Sequence, residues 1–100
     1  MPTISKKDLV DRIADKTQCR RATVKAVVQQ LLDEMTSELA QDNRLEFRGF
    51  GVFETRAREA RIAQNPKTLK KVQVPARRSV KFKMGRMMRE RLSEGKIVHG

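Results

Sequence analysis

One long apolar stripe needs cover, and the rest of the chain holds little to cover it with. Val24, Val27, Val28, Leu31, Leu32, Met35 and Leu39 recur at helical spacing. That spacing predicts a helix running to about Ala40, stopped by Gln41-Asp42-Asn43. Ahead of it, Ser5 and Asp8 have the spacing of a capping pair, and Leu9, Val10, Ile13 and Ala14 mark one face of a short helix ending near Lys16. Thr17 to Arg20 reads as the turn between them, so the two helices pack antiparallel or at a steep angle. The aromatic supply is Phe47, Phe50, Phe53 and Phe82, with no Trp or Tyr. A chain of 100 residues buries only about two-thirds of the surface its unfolded form exposes. A second copy is the easiest source of the missing apolar partner, and residues 1–43 read as a helical dimerisation body.

Charge divides the chain in the same place. The net charge is +11, and residues 48–100 hold all of it: fifteen Lys/Arg against Glu54, Glu59, Glu90 and Glu94. Residues 1–47 carry eight charges of each sign. An excess this one-sided repels itself unless a polyanion lies against it, and nucleic acid is the usual one. A helix-turn-helix reading of the first half fails on the same ground, because that half is neutral and its long helix is too apolar for a groove.

After Asn43 the period changes. Arg44-Leu45-Glu46-Phe47-Arg48 alternates as a strand with Leu45 and Phe47 inward, and Gly49-Phe50-Gly51 makes a turn. Phe50 and Phe53 would both point inward only if Gly51 allows a bulge or sharp twist. Val52 to about Arg61 reads as a second strand. Val80 and Phe82 alternate with Lys81 and Lys83 in a third, apolar side to the body and lysines outward. Between them, residues 60–76 contain little that packs and read as a protruding, mobile β-ribbon arm. The sheet thus spans 44–83, a short basic helix spans 84–92 and a polar tail spans 93–100.

Two groups of residues carry the functional expectation. Arg56 and Arg58 share a strand face about 7 Å apart, close to phosphate spacing. Arg61 continues the row, and Arg77, Arg78, Lys81 and Lys83 return along the opposite edge to make a basic concave sheet. No aromatic interrupts that face for bases to stack on, which argues against single-strand and RNA binding. The second group is Asn65-Pro66-Lys67-Thr68 at the arm tip, flanked by Gln64, Lys70 and Lys71. Asn-Pro commonly makes a plain turn, but a rigid proline on a basic tip can also wedge between base pairs of a minor groove.

The remaining chemistry-bearing residues point away from catalysis. Cys19 and His99 are the only residues of their kinds, so neither a zinc site nor an intrachain disulfide can form. Cys19 reads as an ordinary buried or half-buried thiol, and Met35, Met84, Met87 and Met88 as packing residues. Asp33-Glu34 lies on a solvated helix face. No nucleophile–base pair or phosphate-cradling glycine loop is visible, so neither an enzyme, a cofactor, a metal nor a small-molecule substrate is expected. No signal-peptide core or membrane-length apolar run is present, and a soluble cytoplasmic protein is expected.

The run Gly49-Phe50-x-x-Phe53-x4-Arg58-x2-Arg61-x-Ala63-x-Asn65-Pro66-x-Thr68 resembles the signature of the bacterial histone-like proteins, HU and integration host factor. The resemblance covers roughly residues 3–92, including the closing Val80-Lys81-Phe82-Lys83. It implies an α+β fold: an intertwined dimer with a helical base, a small antiparallel sheet per subunit and two protruding β-ribbon arms around the minor groove. The function implied is architectural: double-stranded DNA is bent and compacted in the nucleoid with little sequence specificity. Pro66 then matches the intercalating proline, Asn65, Lys67 and Arg61 its groove neighbours, and Arg56, Arg58, Lys83 and Arg86 phosphate-binding positions. Arg48, with Glu46 as companion, matches a sequence-sensing arginine in one subunit of integration host factor. The same residues occur in HU proteins, so a site-preferring protein of the integration host factor kind remains the alternative. The partner subunit is expected to be a second copy, a paralogous subunit being the other possibility. Four positions depart from the family pattern: Leu69 replaces the tip glycine, Gln64 an arginine, Met84 a proline, and Arg20 the Ser/Thr cap of the second helix.

Overall fold

A computed structural model of the chain describes residues 1–94. The polar tail expected from residue 93 lies outside them from residue 95 onward, His99 included. The chain forms two compact units, the first ending at Ser37 and the second beginning at Glu38.

The first unit is an α-hairpin. Helix α1 (Lys6–Thr17) opens with a complete capping box: Asp8 N–H donates to the Ser5 hydroxyl at 3.2 Å, and Ser5 N–H donates to the Asp8 carboxylate at 2.9 Å. The bond from the Ser5 backbone, then the Ser5 hydroxyl, holds the Asp8 carboxyl below its ordinary value. Gln18 ends the helix in the left-handed region. Helix α2 (Arg21–Ala40) follows with Arg20 just ahead of it, whose carbonyl accepts from Val24 N–H at 3.0 Å. Arg21 pairs with Asp11 at 2.6 Å, tying the start of α2 to α1. Val10, Ala14 and Val24 form the buried cluster, with Val28 packed against it. Much of the expected apolar face has no such cover: Leu9, Ile13, Val27, Leu31 and Leu32 are exposed, while Met35 is half-buried and Leu39 buried. Cys19, expected to be at least half-buried, is exposed, because it sits in the turn rather than on either helix's apolar face.

The second unit starts with the last turn of α2. Asp42 takes φ +64, Asn43 N–H donates to Glu38 O at 3.0 Å and Asp42 N–H to Leu39 O at 3.0 Å. This is the double-bonded left-handed helix stop, with Asp in the place glycine usually takes. Strands β1 (Leu45–Phe47), β2 (Gly51–Arg58) and β5 (Arg77–Met84) then form an antiparallel sheet in the order β1-β2-β5. Directly paired residues share a face, so the register sorts every side chain. Leu45, Phe47, Phe53, Val80, Phe82 and Met84 fall on one side. Glu46, Val52, Glu54, Arg56, Arg58, Arg77, Ser79, Lys81 and Lys83 fall on the other.

The four phenylalanines make one aromatic cluster on the first side, with Phe53 and Phe82 closest at 4.8 Å between ring centroids. No bulge brings Phe50 to it: the β2–β5 ladder runs unbroken from Gly51↔Met84 to Arg58↔Arg77. Phe50 instead lies outside the strand, in a turn closed by Phe50 N–H to Phe47 O at 2.9 Å, with Gly49 at φ +82. The turn swings the ring back, which a strand-based count of positions does not foresee. Helix α3 (Arg86–Glu94) docks on that turn through Gly85 N–H to Phe50 O (2.8 Å) and Met87 N–H to Gly49 O (3.0 Å). It starts later and ends later than the expected 84–92, since Met84 completes β5. Between β2 and β5, strands β3 (Arg61–Gln64) and β4 (Lys71–Val74) pair with each other alone as a two-stranded ribbon. Strand β2 thus stops at Arg58 rather than continuing to Arg61.

Candidate nucleic-acid interface

The polar side of the three-stranded sheet is cationic because alternation and register agree. Arg56, Arg58, Arg77, Lys81 and Lys83 all belong to it, and Arg58 sits directly across from Arg77. Where the sheet gives way to the ribbon, Arg58, Arg61 and Arg77 line one open cleft of about 310 Å³ with Glu59, Val74, Pro75 and Ser79. Three arginines against the one carboxylate of Glu59 make the lining net cationic, which favours an anion. Arg61 continues the row as its place in the sequence suggests, but from β3, across the break at Glu59–Ala60, rather than from β2.

Two acids belong to this face, Glu46 and Glu54. Glu54 lies opposite Lys81 in the ladder and pairs with Lys83 at 3.6 Å and Arg44 at 4.0 Å. In the sequence, Glu54 stands two residues before Arg56 on the expected strand, and that spacing is the signal that it shares the arginine face.

Arg78 corrects the expected site. It pairs with Ala57, so it lies on the apolar side of the sheet, away from Arg77. Its guanidinium donates to Ala40 O at 2.8 Å and Leu39 O at 3.1 Å, and pairs with Asp42 at 3.1 Å. Thr55 donates to the same Asp42 oxygen at 2.9 Å. Arg78 therefore caps the C-terminus of α2, satisfying carbonyls the helix leaves open and complementing its negative end. Adjacent strand residues point to opposite faces, and Arg77-Arg78 could not both have joined the cationic row.

The ribbon tip, residues 65–70, is built from its own polar groups. Asn65 N–H donates to Lys70 O at 2.9 Å and Leu69 N–H to Asn65 O at 2.7 Å. The Asn65 side-chain carbonyl accepts from Lys67 N–H at 2.9 Å, bracketing Pro66, and the Thr68 hydroxyl accepts from Lys70 N–H at 3.3 Å. Gln64, expected among the groove contacts, donates its amide to Leu69 O at 3.2 Å and braces the turn. Pro66 and Lys67 are exposed, as are Lys70 and Lys71 at the start of the returning strand. Arg48 and Arg86 lie off the sheet. Arg48 lines a cleft of about 460 Å³ with Phe50, Met87, Met88, Glu90 and Arg91, while Arg86 pairs with Glu90 at 3.2 Å. Among the described residues no group of His, Cys, Asp and Glu could hold a metal ion, and no helix is long and apolar enough to cross a membrane.

Comparison with known proteins agrees with this geometry. The family model described as bacterial DNA-binding protein matches residues 4–93. HU from Thermotoga maritima is 36% identical over 89 residues, covering 89% of this chain and 99% of that protein. The integration host factor beta subunit of Neisseria meningitidis serogroup C is 39% identical over 95 residues, covering 89% and 91% respectively. Among solved structures, Anabaena HU in a cocrystal with DNA superposes with a TM-score of 0.78 at 34% identity, covering 89% of this chain and 97% of that one. A match over nearly the whole described chain, in sequence and fold alike, places this protein in the bacterial DNA-binding family of HU and integration host factor.

Proposed function

We propose that the protein is an architectural double-stranded-DNA-binding protein, not an enzyme, which bends and compacts DNA as a homodimer with little sequence specificity. The observation that carries this reading is the register. It gathers Arg56, Arg58, Arg77, Lys81 and Lys83 onto one sheet face and runs that face into a ribbon tipped by exposed Pro66. The cationic face holds the phosphate backbone. The two ribbons of a dimer act as arms in the minor groove, where Pro66 unstacks a base step as minor-groove architectural proteins of this kind do.

Dimerisation answers the apolar surface that each unit leaves open. In the first unit Val27 is 63% and Leu31 50% exposed; in the second, Phe50 is 48% and Val80 56% exposed. Surface of this kind on several elements at once is the mark of an obligate partner, and the aromatic side of the sheet is its natural seat. A protein with this role resides on the nucleoid in the cytoplasm.

The test is a bending titration. With duplex labelled at both ends, saturating protein shortens the end-to-end distance measured by energy transfer. Pro66→Ala keeps most of the affinity and loses much of the bend. A parent protein that leaves linear duplex straight refutes the proposal. Sequence preference is read in the same buffer by competing random against A-tract duplexes, since a stiff, narrow groove is what an integration-host-factor-like protein would select. Equal competition supports the non-specific reading.

A further inference from the structure

Leu69 is anomalous on two independent counts. Its backbone sits at φ +59, in the left-handed region that suits glycine and strains a branched side chain. Its side chain is also among the most exposed large apolar groups of the ribbon, at 69%. The backbone of Leu69 has a clear structural task, since its N–H and its carbonyl both close the tip. Glycine would perform that task without strain, so the side chain is what needs a reason. Inside the chain it has little to pack on.

We infer that Leu69 is a second apolar contact of the ribbon tip with duplex DNA, entering the minor groove beside the step that Pro66 opens. The tip supplies the setting. Lys67, Lys70 and Lys71 surround Leu69 in sequence with cations and no acid, so a polyanion is the surface drawn to it. Leucine is among the side chains able to wedge at a base step, and a residue already held by two backbone hydrogen bonds has little freedom left to lose on insertion. A strained backbone kept at an exposed tip is the pattern expected where the side chain works on something outside the chain. This inference rests on the minor-groove reading of Pro66.

The experiment uses the full-length protein, one random-sequence duplex, and the variants Leu69→Gly, Leu69→Met and Pro66→Ala. Leu69→Gly relieves the backbone, so it melts no lower than the parent. Its affinity falls about five- to tenfold for each of the two tips that engages, the worth of burying roughly half a leucine side chain, and its bend decreases. Leu69→Met keeps the apolar bulk and restores most of both. If Leu69→Gly binds and bends as the parent does while Pro66→Ala loses bending, Leu69 has no groove role and the inference is overturned. If both variants bend like the parent, the wedge reading itself fails. A Leu69→Gly variant that changes the sedimentation of the DNA-free protein would instead assign the side chain to contact between copies, which also overturns it.

Discussion

Replacing Arg78 separates a structural arginine from a DNA-binding one. The guanidinium makes two charge-assisted hydrogen bonds to the final carbonyls of α2 and an ion pair with Asp42, with the Arg78 side chain 49% and the Asp42 side chain 64% exposed. At that exposure the ion pair contributes at most about 1 kcal/mol, and solvent competes for the carbonyls as well. Hydrogen bonds to a charged donor stabilise by about 1.5–3 kcal/mol each when shielded, so a half-exposed, non-additive set contributes about 1.5 kcal/mol in total. Arg78→Met keeps the aliphatic stem on the apolar side of the sheet and removes only the guanidinium. At fixed subunit concentration its melting temperature falls by about 6–12 °C. Its DNA affinity keeps the parent's dependence on salt, because no phosphate contact is lost. Arg56→Met gives the opposite pattern: a near-parental melting temperature, and a log–log salt slope shallower by about 0.9 for each subunit's lost contact. Duplex titrations at several salt concentrations, alongside thermal melts, decide the matter. A shallower slope with unchanged melting for Arg78→Met would refute the capping role.

Two further outcomes follow from local geometry. A Cβ on Gly85 would lie 2.6 Å from Gly49 O and 2.9 Å from the Phe50 carbonyl carbon, both backbone atoms that cannot swing aside. Gly85→Ala therefore pushes α3 off the turn and destabilises by about 2 kcal/mol, read as a lower melting temperature with loss of the Met87–Gly49 amide's protection from hydrogen exchange. Asp8 gives a pH signature: its folded carboxyl titrates below its unfolded one, so its stabilisation is complete above the ordinary carboxylate range and fades as pH falls through the lowered value. The parent's melting advantage over Asp8→Ala is constant above the ordinary carboxylate range and closes as pH falls below it; an advantage that persists undiminished in strong acid would contradict the capping-box assignment.

Much of this protein was decided by local rules. The two helices follow from apolar spacing and the Ser5–Asp8 box, and the strands follow from alternation at Leu45–Phe47 and Val80–Lys83, because each depends only on neighbours in the chain. The family likeness was legible for the same reason: it rests on residues at fixed short spacing between Gly49 and Thr68. What depends on pairing between distant segments was not legible. A strand's face is set by its register with its partner, and a shift of one residue reverses it. Alternation with Val80 and Phe82 already sets Arg78 on the apolar side, but only the folded chain reveals that its guanidinium reaches the end of α2. The reach of Phe50 back to Phe47 and Phe82, the carboxylate of Glu54 among the lysines, and the bracing of the tip by Gln64 are likewise properties of three-dimensional closure. Periodicity determines which residues form an element, and pairing across the sheet determines which of their side chains remain free to meet DNA.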